Sequence, residues 1–309
     1  MKRLDESARG VYIIAATPFT EQGELDLQSA ASMVDFYLRA GVDGITLLGV
    51  LGEAPKLTAA ESTRLVKSVI DRVAGRVPVV VGVSSPGFAA MKALADEALN
   101  AGAAGVMVAP TASLRTDDQI FDYFTQVAEV LGPIPFVLQD HPQSTGVQMS
   151  VAVMVRILKA LRTCVMVKHE DWPGLAKVSA LRAASASGEL RRVSILGGNG
   201  GLFLPEELGR GTDGAMTGFA FPEMMVEIYR AHVAGDRARL HAVFEAYLPL
   251  ARYEQQPGIG LAVRKYLLAK RGAITSAALR RPGPKLSATD ITEIEQLLAR
   301  QSARLRELA

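Results

Sequence analysis

Short runs rich in β-branched residues alternate along the chain with longer segments whose apolar residues recur every three or four positions. The short runs predict buried strands and the longer segments predict amphipathic helices. Repeated alternation of this kind is typical of βα units on a parallel sheet. We predict eight strands, at residues 10–17, 44–48, 77–83, 105–109, 135–139, 164–168, 193–197 and 214–218.

Helices are predicted between the strands, and several end at glycine, which favours the left-handed turn that closes a helix. The predicted helices lie at 26–40, 59–74, 89–101, 117–131, 150–161 and 175–186. After the eighth strand the pattern is helical only, at 223–234, 236–249 and 259–270, and a last helix follows Ser287. We therefore predict an α/β fold, a TIM (β/α)8 barrel over residues 1–222, with a C-terminal helical region over 223–309.

Length and charge agree with this fold and exclude other classes. The 309 residues suit a barrel of about 250 residues with a few added helices. The formal charge of +2 arises from 34 basic and 32 acidic residues spread along the chain, so no basic stripe predicts a nucleic-acid partner. No apolar run reaches the roughly 18 residues of a membrane span, and we expect a cytoplasmic protein. The single Cys164 is predicted to be a core residue.

Lys168 is the strongest candidate for a catalytic residue. It ends an apolar strand, and active sites of such barrels lie at the C-terminal ends of the strands. The two-residue period of a strand predicts that Cys164, Met166 and Lys168 share one face. A lysine at an apolar mouth is desolvated, which lowers its pKa and frees the amine to attack a carbonyl. The other interpretation is an ordinary ion pair with Glu170 or Asp171 at the rim.

Other polar or glycine-rich segments follow the second, fifth and seventh strands. Glycines of GVLGE (49–53) and GGNGG (197–201) would let backbone N–H groups approach a carboxylate, although such segments are often ordinary turns. Gln139, Asp140 and His141 end the fifth strand, where one of the last two must face outward. No nucleotide-binding motif and no His or Cys cluster is present, so we predict no cofactor and no metal.

Five segments together resemble the dihydrodipicolinate synthase and N-acetylneuraminate lyase family. They are TPF (17–19), GVLGE, QDHPQSTG (139–146), VMVKHED (165–171) and GAMTGFAFP (214–222). The resemblance implies that Lys168 forms a Schiff base with a small 2-keto acid such as pyruvate. It also implies a homo-oligomer, a tetramer or a dimer. The substrate-binding residues that it implies are Thr17, Gly49, Val50, Leu51, Gly52, Ser144, Gly198 and Met216.

Departures from the family pattern bear on the reaction. Gln139 stands where the family has the tyrosine of its proton relay, and Val50 and Leu51 replace two hydroxyl residues of GTTGE. Ser144 replaces the arginine that grips the second substrate of the synthases, and PTAS (110–113) lacks the neighbouring interface tyrosine. The Gln–Asp pair at 139–140 resembles the branch that dehydrates 2-keto-3-deoxy sugar acids such as 2-keto-3-deoxy-L-arabinonate.

We therefore predict a Schiff-base lyase, favoured as a hydro-lyase of a 2-keto-3-deoxy sugar acid, with Lys168 and Gln139 as catalytic residues. A retro-aldolase or a condensation with pyruvate remains an alternative, as do a catalytically silent keto acid sensor and a metal-dependent barrel aldolase. The proton shuttle that replaces the tyrosine is left open among a water held by Gln139 and the side chains of Asp140, His141, His169 and Glu170.

Overall fold

Eight parallel strands close into a barrel in which each strand pairs with the next and the eighth pairs with the first. The computed structural model describes residues 3–172 and 174–308. The strands are β1 (Gly10–Ile14), β2 (Gly44–Leu47), β3 (Val79–Gly82), β4 (Gly105–Val108), β5 (Phe136–Asp140), β6 (Cys164–His169), β7 (Ser194–Gly197) and β8 (Gly214–Thr217). This confirms the TIM barrel, and each strand lies where the sequence predicts it, with ends that differ by a few residues.

Helices cover the outside of the barrel. They are α1 (Leu27–Ala40), α2 (Ala59–Val73), α3 (Phe88–Ala101), α4 (Asp117–Leu131), α5 (Pro142–Thr145), α6 (Val151–Ala160), α7 (Leu175–Ala186), α8 (Leu204–Gly209), α9 (Pro222–Ala234), α10 (Arg237–Glu254), α11 (Gly260–Lys270) and α12 (Ala288–Glu307). Two short helices, α5 and α8, are absent from the sequence prediction. Side-chain capping explains where several helices begin. At α2, for example, Thr58 and Glu61 form a reciprocal capping box.

Inward-facing side chains from seven of the strands fill the barrel, so its interior is a packed core and not a pore. The strand residues of this interior cluster are Tyr12, Ile14, Val80, Met107, Val137, Val165, Met166, Leu196 and Met216. Gly44 completes the packing, because a Cβ at this position would lie 2.3 Å from the Tyr12 ring. A larger cluster lies between the strands and the helices.

A β-bulge in β6 changes which side chains share a face. Phe136 pairs with Cys164, but Val137 pairs with Met166, so Val165 is an additional residue on this strand. Cys164 therefore lies in the outer cluster, whereas Met166 lies in the barrel interior. The prediction that Cys164 shares a face with Met166 and Lys168 is wrong for this reason, while its prediction as a buried core residue is confirmed.

The C-terminal region is closely joined to the barrel. Helix α9 packs on β1 and α1, in the place of the eighth barrel helix, and α12 packs on α10. The division of the chain at residue 222 stays a prediction. Helix α10 continues through Pro249 to Glu254, beyond its predicted end. No helix in the described part of the chain is long and apolar enough to cross a membrane.

Candidate active site

Lys168 lies in the mouth of the barrel and is paired with a carboxylate. Its side chain is 3% exposed and its Nζ lies 2.8 Å from Glu170 Oε2. Gln139, opposite Lys168 in the β5–β6 register, donates from Nε2 to the same oxygen at 2.9 Å. From the sequence, Lys168 could be a reactive lysine or part of an ordinary ion pair. The structure shows that it forms an ion pair with Glu170 and that this pair is buried. Asp171 pairs instead with Lys177 of α7.

Glu170 is held as a carboxylate by its neighbours. Burial raises the pKa of this carboxyl, but the charges of Lys168 and His141 and the hydrogen bonds from Lys168 and Gln139 outweigh it, so the pKa lies below its usual range. His141 Nδ1 lies 3.7 Å from Glu170 Oε2. Burial lowers the pKa of His141 itself, so the charge that His141 contributes beside Glu170 is lost as the pH rises and the imidazole releases its proton.

Two of the four candidate proton shuttles face away from Lys168. Asp140 and His169 lie on the outer side of β5 and β6, where His169 Nδ1 is 3.2 Å from Asp140 Oδ2 and Lys177 donates to the same oxygen at 2.8 Å. His169 Nε2 bonds to Gly174 O at 2.9 Å. Both side chains are therefore engaged between the strands and α7. Of the four candidates, Glu170 contacts Lys168 directly, and His141 lies beside Glu170.

The loop after β2 crosses the mouth in a constrained conformation. Leu48 has a φ of 55°, which is uncommon for leucine, and the turn that follows spans Val50–Gly52. Thr17 Oγ1 donates to Gly52 O at 2.6 Å and so fixes the loop to the end of β1. Within residues 3–172 and 174–308, no group accepts a hydrogen bond from the backbone N–H of Val50 or Leu51. These N–H groups are available to a carboxylate.

The remaining predicted binding residues have varied surroundings. Gly49 precedes the turn, and a Cβ there would lie 3.1 Å from Ile14 Cγ2. Met216 is fully buried in the barrel interior, below the mouth. Ser144 is exposed on α5, and its hydroxyl bonds to His141 Nδ1 at 2.8 Å. At Gly198 a Cβ would lie 2.0 Å from Glu170 Cγ, so this glycine permits the position of Glu170.

Sequence reasoning missed Glu207, a buried carboxyl behind the site. It lies on α8, is 5% exposed, and its Oε2 has no hydrogen-bond partner among the described residues. A Cβ at Gly197 would lie 2.0 Å from this oxygen. Burial, together with the negative charges of Glu170 and Glu206, raises the pKa of Glu207 to about 8. Proline at the second helical position of LPEELG indicates a short helix, but nothing local indicates which glutamate is buried.

The described residues contain no group of three or more His, Cys, Asp or Glu side chains arranged to hold a metal ion. The functional groups that the structure places at the mouth are the Lys168 amine, the Glu170 carboxylate, the Gln139 amide and the His141 imidazole. An amine beside a carboxylate can exchange a proton with it and then attack a carbonyl carbon, which is the arrangement of an activated lysine nucleophile.

Comparison with known proteins identifies the family. The sequence model of the dihydrodipicolinate synthetase family matches residues 7–301. The chain belongs to this family. Over 291 residues it is 32% identical to the L-2-keto-3-deoxyarabonate dehydratase of Azospirillum brasilense, covering 90% of this chain and 89% of the relative. It is 31% identical over 305 residues to the 4-hydroxy-tetrahydrodipicolinate synthase of Sorangium cellulosum, covering 96% of each chain.

The dihydrodipicolinate synthetase family also appears among solved structures. A crystal structure of the dihydrodipicolinate synthase from Rhodopseudomonas palustris is 50% identical to this chain, with a TM-score of 0.95, and the match covers 97% of this chain and 100% of that one. The resemblance inferred from the motifs is thus confirmed, and members of the family are lyases. The printed names of the relatives include both a dehydratase and synthases, so family membership alone does not select one reaction.

Proposed function

We propose that this protein is a Schiff-base lyase that dehydrates a 2-keto-3-deoxy sugar acid through Lys168. The observation that carries the proposal is the buried contact of 2.8 Å between Lys168 Nζ and Glu170 Oε2, with Gln139 Nε2 bonded to the same oxygen. It puts a nucleophilic amine and a proton acceptor side by side in the mouth of the barrel. The dehydratase of Azospirillum brasilense, 32% identical over most of the chain, supports the choice of substrate class.

Imine formation begins when Glu170 takes a proton from the Lys168 ammonium. The free amine attacks C2 of the keto acid, and the carbonyl oxygen leaves as water after receiving two protons that the ammonium carried. The product is a protonated imine on Lys168, with Glu170 again a carboxylate. The positive charge next to Glu170 is restored when the protonated imine forms, so the carboxylate is stabilised again at the end of this stage.

Dehydration then needs one base and one acid, and Glu170 can act as both. As a carboxylate it removes a proton from C3, and the electron pair moves into the C2–C3 bond to give an enamine. The protonated Glu170 next donates that proton to the C4 hydroxyl, which leaves as water while a C3–C4 double bond forms. Gln139 has no useful pKa, and its role is to orient the Glu170 carboxylate.

Condensation with a second substrate is disfavoured by the surroundings of Ser144. The family's synthases hold their second substrate with an arginine at this position, whereas Ser144 is an exposed residue whose hydroxyl bonds to His141. A neutral hydroxyl of this kind supplies no cation for a carboxylate.

The experiment is turnover of a 2-keto-3-deoxypentonate followed by proton NMR, with Lys168→Met and, as a control, Lys159→Met on the half-exposed face of α6. We expect loss of the C4 hydroxyl in the wild type and in Lys159→Met, and no product from Lys168→Met. Release of pyruvate and an aldehyde would mean retro-aldol cleavage. No turnover of any 2-keto acid would favour a silent sensor, and loss of activity with chelator would favour a metal-dependent aldolase.

A further inference from the structure

A buried arginine from the C-terminal helical region reaches the mouth of the barrel. Arg264 lies on α11 and is 2% exposed. Its Nε donates to Glu254 Oε1 at 2.5 Å, and its Nη2 donates to the carbonyl oxygen of Gly218 after β8. The third nitrogen, Nη1, is buried and has no hydrogen-bond partner among the residues that the structure describes.

The unpartnered Nη1 lies beside Gly218, which directly follows β8. Met216 of β8 lies in the barrel interior. A Cβ at Gly218 would lie 2.3 Å from Arg264 Nη1 and 2.9 Å from Leu51 Cδ1. Leu51 itself packs on the interior cluster. Arg264 Nη1 therefore lies next to the loop that crosses the mouth, and the absence of a side chain at Gly218 makes room for it.

This nitrogen lies where the chain lacks two hydroxyl groups. Val50 and Leu51 stand at the positions of the two hydroxyl residues in the GTTGE pattern, so their side chains offer no hydrogen bond to an anion. Their backbone N–H groups have no acceptor among the described residues. A buried guanidinium N–H without a partner is costly, and a carboxylate is the acceptor that guanidinium geometry fits best.

We propose that Arg264 Nη1 binds the carboxylate of the 2-keto acid, together with the backbone N–H of Leu51, in place of the missing hydroxyl side chains. The proposal rests on the proposed function, because it assumes that the keto carbon is held at Lys168. Glu254 balances the charge of the guanidinium and fixes two of its nitrogens, which leaves Nη1 oriented before the substrate arrives. Arg264 is then a substrate-binding residue contributed by the C-terminal region.

The test compares two ligands that differ only in the carboxylate charge. Borohydride trapping on Lys168, read by intact mass, gives the half-saturating concentration of pyruvate and of its neutral methyl ester. The variants are Arg264→Met, Arg264→Lys and Gly218→Ala. Arg264→Lys keeps a cation for Glu254, and Gly218→Ala adds a methyl group where Nη1 now lies. Arg182→Met is the control, since it removes an ion pair with Asp213, away from the mouth.

We expect each of the three variants to raise the half-saturating concentration of pyruvate by about 10-fold or more and that of methyl pyruvate by less than about 2-fold. Arg182→Met should leave both values unchanged. If Arg264→Met fails to fold, Arg264→Lys and Gly218→Ala still decide the question. The role of Arg264 would be overturned if the half-saturating concentrations of the two ligands rose equally. It would also be overturned if neither concentration changed in Arg264→Lys and Gly218→Ala.

Failure of the proposed function would look different. If the wild type forms no adduct with pyruvate, the Schiff-base mechanism is wrong. Isothermal titration with pyruvate, which needs no covalent step, then tests Arg264 alone. Weaker binding in Arg264→Lys and Gly218→Ala than in the wild type supports the carboxylate contact, and equal binding in the three proteins overturns it.

Discussion

Replacing Glu207 with glutamine should change how the stability of the protein depends on pH. The Glu207 carboxyl is 5% exposed and its Oε2 has no partner among the described residues. Its pKa is raised from 4.5 to about 8, mainly by burial and in part by the negative charges of Glu170 and Glu206. The folded protein therefore holds this proton at pH 7, whereas the unfolded chain releases it.

The size of the effect follows from these two pKa values. The gap between 4.5 and about 8 corresponds to about 5 kcal/mol, because each tenfold change in proton affinity is worth about 1.4 kcal/mol. The favourable contribution of the neutral carboxyl is complete below pH 4.5 and is lost as the pH rises towards 8. Between pH 5.5 and 7.5, Glu207 alone should lower the free energy of unfolding by about 3 kcal/mol.

The assay is urea unfolding followed by circular dichroism at pH 5.5, 6.5 and 7.5. Wild type is compared with Glu207→Gln and with Glu206→Gln, the exposed neighbour on the same helix. We expect the stability of Glu207→Gln relative to wild type to increase with pH by about 1.4 kcal/mol per pH unit, and that of Glu206→Gln to stay nearly constant. A Glu207→Gln profile parallel to the wild type would refute the reasoning.

Three further changes test the site. Glu170→Gln should lower turnover about 10²- to 10⁴-fold in kinetic assays and slow the trapping of pyruvate by borohydride, because Glu170 also deprotonates Lys168, and unchanged turnover would exclude Glu170 as the shuttle. Gly198→Ala adds a Cβ that would lie 2.0 Å from Glu170 Cγ and would displace this side chain from Lys168, so turnover should fall; normal kinetics would contradict this. Lys265→Met breaks the buried pair with Glu53, at 2.6 Å, and should cost about 3 kcal/mol in urea unfolding; unaltered stability would contradict it.

The barrel could be predicted because its strands are local signals. Each strand is a short run of mainly apolar, β-branched residues, and both faces of such a strand are buried, so composition alone marks it. The bulge at Val165 has no such signal, because it depends on how β6 pairs with β5. Because of this additional residue, the prediction that Cys164 shares a face with Met166 and Lys168 is wrong, although Lys168 still lies in the mouth.

Lys168 and Gln139 could be placed at the mouth because strand ends meet there. The partners of Lys168 were only partly predictable: alternation correctly required that either Asp140 or His141 face outward, but could not say which. Arg264 was beyond sequence reasoning, since its contact with Gly218 spans 46 residues and joins two predicted regions. The sequence presented the C-terminal helices as an extension, whereas α11 contributes side chains at the mouth.

The most direct test of the central claim is borohydride reduction in the presence of pyruvate, followed by intact-mass measurement and peptide mapping of wild type and Lys168→Met. The account predicts one reduced adduct per chain in the wild type, located on Lys168, and none in Lys168→Met. An adduct on another lysine, or none with any 2-keto acid, would contradict the assignment of Lys168 as the residue that forms the Schiff base.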